Sequence, residues 1–109
     1  MGLSLIDLSM THLDTDSCRN QIDLVRTLER SGVLDEDDRV AQAFRRVDRA
    51  SFIPERCGYA EPYASSPQPL GFGASMAEPE HHAFAATVLS DRLCPGCNVL
   101  DIGTGTGWL

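Results

Sequence analysis

Apolar positions along the chain fall into three stretches at helical spacing and one short continuous run. Ile22, Val25 and Leu28 recur with polar residues between them, which predicts a helix from Ser17 onward. Asp16 or Ser17 is the expected cap, and Gly32 suits a left-handed stop. A second helix is expected at about 37–47, where Val40, Ala43, Phe44 and Val47 make one amphipathic face. Pro54 closes this unit. Residues 55–73 carry Pro62, Pro67, Pro69 and three glycines, so an ordered loop is expected there. A third helix is expected at roughly 79–93, with Pro79 in its first turn and Phe84, Val88 and Leu89 as its buried stripe. Cys94-Pro95-Gly96 breaks it. Residues 97–102 then read as a short, buried, parallel strand. Residues 1–16 show no clear periodicity and are expected to be a tail or a weak helix, with 17–109 as one unit.

Composition narrows the function. The chain has 109 residues, 42% of them hydrophobic, enough for one small core. Its formal net charge is -7, and all nine basic residues are arginines. Without lysine there is no Schiff-base amine and no phosphate-loop lysine. The acidic balance argues against nucleic acid as a partner. No run approaches the roughly 20 apolar residues that span a bilayer, and no basic segment opens a secretory signal. Cysteines 18, 57, 94 and 97 lack a disulfide-framework spacing. These features together point to a cytoplasmic protein.

The most informative stretch is Val99-Leu100-Asp101-Ile102-Gly103-Thr104-Gly105-Thr106-Gly107. A strand with an acidic residue near its end runs into three alternate glycines. Glycine permits positive φ and lets a ligand approach the backbone. Backbone N–H groups at a helix start can hold an anion. The dinucleotide fingerprint would need glycine at 108, where Trp108 stands, and the Gly-Lys-Ser/Thr of a phosphate loop is absent.

Asp-x-Gly-x-Gly-x-Gly resembles the first motif of class I methyltransferases. Upstream, Asp48-Arg49, Phe52-Ile53-Pro54 and Tyr63-Ala64-Ser65-Ser66-Pro67-Gln68-Pro69-Leu70-Gly71-Phe72-Gly73 resemble the N-terminal region of protein-L-isoaspartate O-methyltransferases. So does Ala74-Ser75-Met76-Ala77-Glu78-Pro79-Glu80-His81-His82-Ala83. The resemblance runs from about Leu24 to Leu109. It implies an α/β, Rossmann-like class I methyltransferase fold with an N-terminal helical extension. It further implies that this chain is truncated after the first strand and glycine loop, before the acidic residue that holds the ribose about 20 positions further on.

The resemblance also implies a cofactor, S-adenosyl-L-methionine, and a substrate, isoaspartyl residues in damaged proteins, handled by a monomer. The implied cofactor-binding residues are Ser75, His82, Asp101, Gly103, Thr104, Gly105 and Gly107. In this reading the loop amides hold the methionyl carboxylate and Asp101 meets the amino group. The family's Thr-Ile-Ser-x-Pro pattern reads Ser75-Met76-Ala77-Glu78-Pro79 here. Ala77 thus stands at the position of the serine credited with a catalytic role, so no catalytic residue is assigned. No metal is expected. The rival readings are a class I methyltransferase with another substrate and a non-catalytic fragment.

Two further features are expected to be structural. Cys94-Pro95-Gly96-Cys97 follows a helix and precedes a strand, the reverse of the thioredoxin arrangement, so it reads as a turn. His81 and His82 point about 100° apart on a helix, so only one faces a given site; His82 is expected to be that one and His81 to be solvated. The acidic run Asp35 to Asp38 reads as a helix cap and not as a calcium loop.

Overall fold

The structure, a computed structural model, describes residues 17–58 and 60–109. The segment 1–16, including the candidate cap Asp16, lies outside the described residues. The first helix, α1, runs Gln21–Arg30 and is capped by Asn20, whose side chain accepts from the Asp23 amide at 2.9 Å. The cap is therefore Asn20 and not Ser17. Leu24, Val25 and Leu28 are fully buried, whereas Ile22 is 40% exposed on the other face. Gly32 stops the helix as expected, at φ +80. Val33 N–H bonds the Leu28 carbonyl at 3.0 Å and Gly32 N–H bonds Glu29, also at 3.0 Å. This crossed pair is a Schellman closure, and it turns Val33 back onto Leu28.

The second helix, α2, spans Arg39–Arg46. Asp38 caps it, accepting from the Ala41 amide at 2.8 Å, which bears out the reading of the acidic run. Val40, Ala41 and Phe44 are buried; Ala43 and Val47 face solvent. Between the two helices lies a polar clasp. Gln21 Nε2 donates to the Phe44 carbonyl at 2.7 Å, and Gln21 Oε1 accepts from the Arg49 amide at 3.0 Å. Arg45 bridges the nearly buried Glu29 and the exposed Asp37.

The loop expected over 55–73 contains regular structure that Pro and Gly concealed. Gln68–Gly71 (β1) and Ala74–Met76 (β2) pair antiparallel, with Gln68 opposite Met76 and Pro69 opposite Ser75. Phe72 and Gly73 at the tip both have positive φ, the twist a two-residue hairpin needs. Gly71 takes φ +85, which favours glycine, and the Arg56 side chain lies close against it. Pro69 is tolerated because both strands of a two-stranded ribbon are edges.

The third helix, α3, covers Pro79–Leu89 and continues as a 3-10 turn over Ser90–Arg92. Its buried face differs from the expected one. Pro79, Glu80 and Ala83 are buried, while Val88 and Leu89 are 40% and 48% exposed. Arg39 donates to the carbonyls of Ser90 and Leu93, tying the end of this segment to α2.

The strand expected at 97–102 is not formed. These residues are irregular and solvent-facing, with Val99 65%, Leu100 83% and Ile102 87% exposed. A buried parallel strand is defined by the strands beside it, and among the described residues none pairs with this segment. One continuous core therefore joins α1, α2, the hairpin, Ala83 and Trp108.

Candidate functional site

Residues 101–107 form an exposed loop whose three glycines all take positive φ: Gly103 +75, Gly105 +62 and Gly107 +82. An L side chain is strained at each of them. Around Gly103 and Gly107 the direction of a Cβ is open space, so a ligand can come to the backbone there. At Gly105 the Leu70 side chain lies 3.7 Å from that position. Gly107 N–H closes the loop on the Thr104 carbonyl at 3.1 Å, and Trp108 N–H meets Thr106 Oγ1 at 3.3 Å.

Trp108 carries this loop to the helical half. It is 6% exposed. Its Nε1–H donates to the Val47 carbonyl at 2.9 Å, at the end of α2. Phe44 and His82 each meet its ring edge-to-face, with centroids 5.1 Å away in both cases. The Arg49 guanidinium lies over it at 4.9 Å. An indole with a partner for its N–H, aromatic neighbours and a cation on its face is fixed in position.

Arg49 is the hub of the site. It is fully buried and donates from Nε to the Pro62 carbonyl at 2.7 Å, from Nη1 to His82 Nδ1 at 3.2 Å, and from Nη2 to the Ala77 carbonyl. A guanidinium only donates, so His82 Nδ1 is the unprotonated nitrogen and the proton of the neutral ring sits on Nε2. Burial lowers the Arg49 pKa to about 10, against the opposing charges of Glu80 and Glu78. It stays a cation at neutral pH. Burial first, then the charges of Arg49 and His81, push His82 down to about 4, while Asp101 and Glu78 oppose this. His82 is thus a neutral imidazole that feels the Asp101 carboxylate.

The loop 61–66 is fastened to the same place. Tyr63 donates to Asp48 Oδ1 at 2.7 Å, and burial together with that hydrogen bond raises its pKa to about 12. Ser65 donates to Glu80 Oε1, while Glu80 Oε2 is buried with no partner.

The expected site residues therefore divide. His82 meets both Trp108 and Arg49, and the Asp101 carboxylate acts on its charge, whereas the glycine loop lies against the hairpin, Gly105 by Leu70 and Thr106 by Met76. Ser75 is exposed, on the opposite side of β2 from Met76, whose sulfur meets Thr106 Oγ1 at 3.8 Å. Ala77 contributes its carbonyl and no hydroxyl. His81 is exposed, as the angular argument requires. Arg49 and Trp108 were not among the expected site residues. The sequence signal was the single tryptophan of the chain standing directly after the last glycine. An open apolar cleft of about 290 Å³ lies between α2, Ala86, Leu93 and the other edge of Trp108. It includes neither His82 nor any residue of 101–107, so it is separate from this site.

A helical extension folded over a hairpin, with a glycine loop beyond the third helix, is the front of a class I methyltransferase fold. The sequence profile described as protein-L-isoaspartate(D-aspartate) O-methyltransferase (PCMT) matches residues 19–109, and the chain belongs to that family. It is 42% identical to the protein-L-isoaspartate O-methyltransferase of Triticum aestivum over 79% of this chain and 36% of that protein. It is 38% identical to protein-L-isoaspartate O-methyltransferase 2 of Arabidopsis thaliana, again over 79% of this chain but 26% of that one. A Plasmodium falciparum crystal structure, described as such a methyltransferase in complex with S-adenosyl-L-homocysteine, superposes with a TM-score of 0.71 at 32% identity. That match covers 82% of this chain and 38% of the other. The chain spans between about a quarter and two fifths of the length of these relatives.

Proposed function

We propose that this chain supplies the substrate-covering extension and the cofactor loop of a protein-L-isoaspartate O-methyltransferase. The enzyme would transfer a methyl group from S-adenosyl-L-methionine to the carboxyl of isoaspartyl residues in damaged proteins. The observation that carries the reading is the loop 101–107, open at Gly103 and Gly107 and anchored through Trp108 beside a neutral His82. In a protein of this family, that is where a methionyl carboxylate and amino group would be met. The amides around Gly103, Thr104, Gly105 and Gly107 suit the carboxylate, and Asp101 suits the ammonium. His82 offers Nε2–H as a donor at the same place. Ser75, on the outer face of the hairpin, is the one member of the set that would meet the ligand only through a change of its surroundings.

The bound sulfonium supplies the electrophilic methyl carbon. The residues here have little proton chemistry to perform, because the nucleophile is a carboxylate with a pKa of about 4, already ionised. Their work is alignment and exclusion of water. The loop 61–66, pinned through Tyr63 and Ser65, and the hairpin would do this. That is why Ala77 in place of a serine is compatible with the reaction. We also assign the protein to the cytoplasm as a monomer, with residues 17–109 as one unit; no helix among the described residues is long and apolar enough to cross a membrane.

The test is tritiated-methyl transfer by the protein as expressed from its own gene, to paired synthetic peptides that differ only in an isoaspartyl or aspartyl linkage. Labelling of the isoaspartyl peptide alone is expected. Equal labelling, or none of either by a folded and cofactor-binding protein, overturns the proposal.

A further inference from the structure

Two thiols outside this site stand at the two ends of one turn. Cys94 and Cys97 are both free and exposed. The Cys97 amide donates to the Cys94 carbonyl at 3.0 Å, closing a β-turn over Pro95 and Gly96. Proline presets the first central position, and Gly96 takes φ +83 at the second, the combination of a type II turn. Such a turn holds its first and last Cα atoms within about 7 Å. A disulfide needs Cα atoms roughly 4.4–6.8 Å apart. The backbone therefore already brings the pair to bridging range. Zinc needs four ligands, and among the described residues no group of three or more candidate ligands gathers.

We propose that Cys94 and Cys97 are a reversible dithiol–disulfide site that exchanges with low-molecular-weight disulfides such as oxidised glutathione. One thiolate attacks a glutathione sulfur, forming a mixed disulfide and releasing one glutathione thiol. The second thiolate attacks the protein-bound sulfur, closes the Cys94–Cys97 bond and releases the second glutathione. The two protons of the cysteines leave with the two glutathione thiols. The pair loses two electrons and glutathione disulfide gains them. An exposed disulfide is of the labile kind that responds to redox poise instead of serving as a permanent staple. Asp101 lies four positions beyond Cys97, so the bridge would fix the turn that feeds the glycine loop.

The folded 109-residue chain is equilibrated in glutathione buffers of graded poise, acid-quenched, alkylated and cut with trypsin. Cleavage after Arg92 releases the peptide that begins at Leu93 and carries Cys94 and Cys97, with no other cysteine up to Leu109. The expected result is conversion of this peptide from the doubly alkylated form to one lighter by two hydrogens and unalkylated, reversed by dithiothreitol. Gly96→Val forces a side chain into positive φ and should lower the equilibrium constant for closure roughly tenfold. A peptide that stays doubly alkylated at every poise, stops at a glutathione adduct, or appears only in cross-linked dimers would overturn the proposal. An unchanged titration in Gly96→Val would overturn its basis in the turn.

Discussion

The helical half and the segment beyond Leu93 treat their apolar residues in opposite ways. In α1 and α2, leucines and valines are sealed in the core, and Gln21 satisfies backbone groups at the C-terminal end of α2 and just beyond it. In 98–107, Val99, Leu100 and Ile102 face solvent, and three glycines hold the backbone in conformations that carry no side chain. Only Trp108 returns to the core. The first region buries its apolar residues in a core shared with the hairpin and Ala83. The second is an exposed glycine loop tied to the first through Trp108, with Thr106 resting against Met76 of the hairpin. The same hydrophobic side chain therefore carries different weight in each region.

The sharpest way to break this comparison is to make one substitution twice. Leu28→Ala removes a fully buried side chain and should cost about 2–5 kcal/mol. Leu100→Ala, at 83% exposure, should stay within about 0.5 kcal/mol. Urea unfolding of both variants measures the difference. Similar losses would mean that 98–102 packs as tightly as α1.

Next in size is the hub between the regions. Arg49→Met leaves the Pro62 and Ala77 carbonyls without their donor and removes the cation from the Trp108 face. Relief of a buried charge offsets part of this, so a loss of about 3 kcal/mol is expected, from orphaned acceptors at roughly 1–3 kcal/mol each. Arg49→Lys should recover little, because one ammonium cannot span two carbonyls and an imidazole in a fixed plane. Full recovery by lysine would reduce Arg49 to a bare charge.

A smaller effect follows from His82. Its folded pKa is about 4, below the unfolded value of about 6.5. Between these values the unfolded chain binds a proton that the native site refuses. Stability therefore falls as pH drops from about 6.5 toward 4 and levels off below. The groups acting on the ring are Arg49, His81, Asp101 and Glu78. The urea midpoint should fall between pH 7 and pH 5, and His82→Gln should flatten that slope. An equal slope in the variant would assign it to other groups.

The sequence was legible where structure is local. The apolar spacing of Val25 and Leu28 (though Ile22, read with them, faces solvent and Leu24 is buried in its place), the glycine stop at 32, the Asp38 cap and the proline start at 79 each act within one or two turns of helix. The glycine loop was legible for the same reason, since its chemistry is in the backbone. What was hidden depends on distant partners. The hairpin at 68–76 sits among prolines and glycines and is recognised only by its pairing. Residues 97–102 have strand composition, but pairing is not a property of the segment alone. The buried face of α3 was misread because Ala83 packs inward while the larger Val88 and Leu89 do not. Arg49 and Trp108 meet across 59 positions of sequence, and no spacing rule reaches that far.

Trp108 is the chain's single tryptophan, so its fluorescence reads the junction of the two regions without labelling. Thermal or urea unfolding is followed by Trp108 emission and by far-UV circular dichroism on the same sample. A ring buried against Phe44, His82 and Arg49 should emit at short wavelength in the native state and shift to the red in a transition that coincides with the loss of helix. Emission already characteristic of water under native conditions, or a red shift complete before the helices melt, would contradict the anchoring of the glycine loop to the helical half.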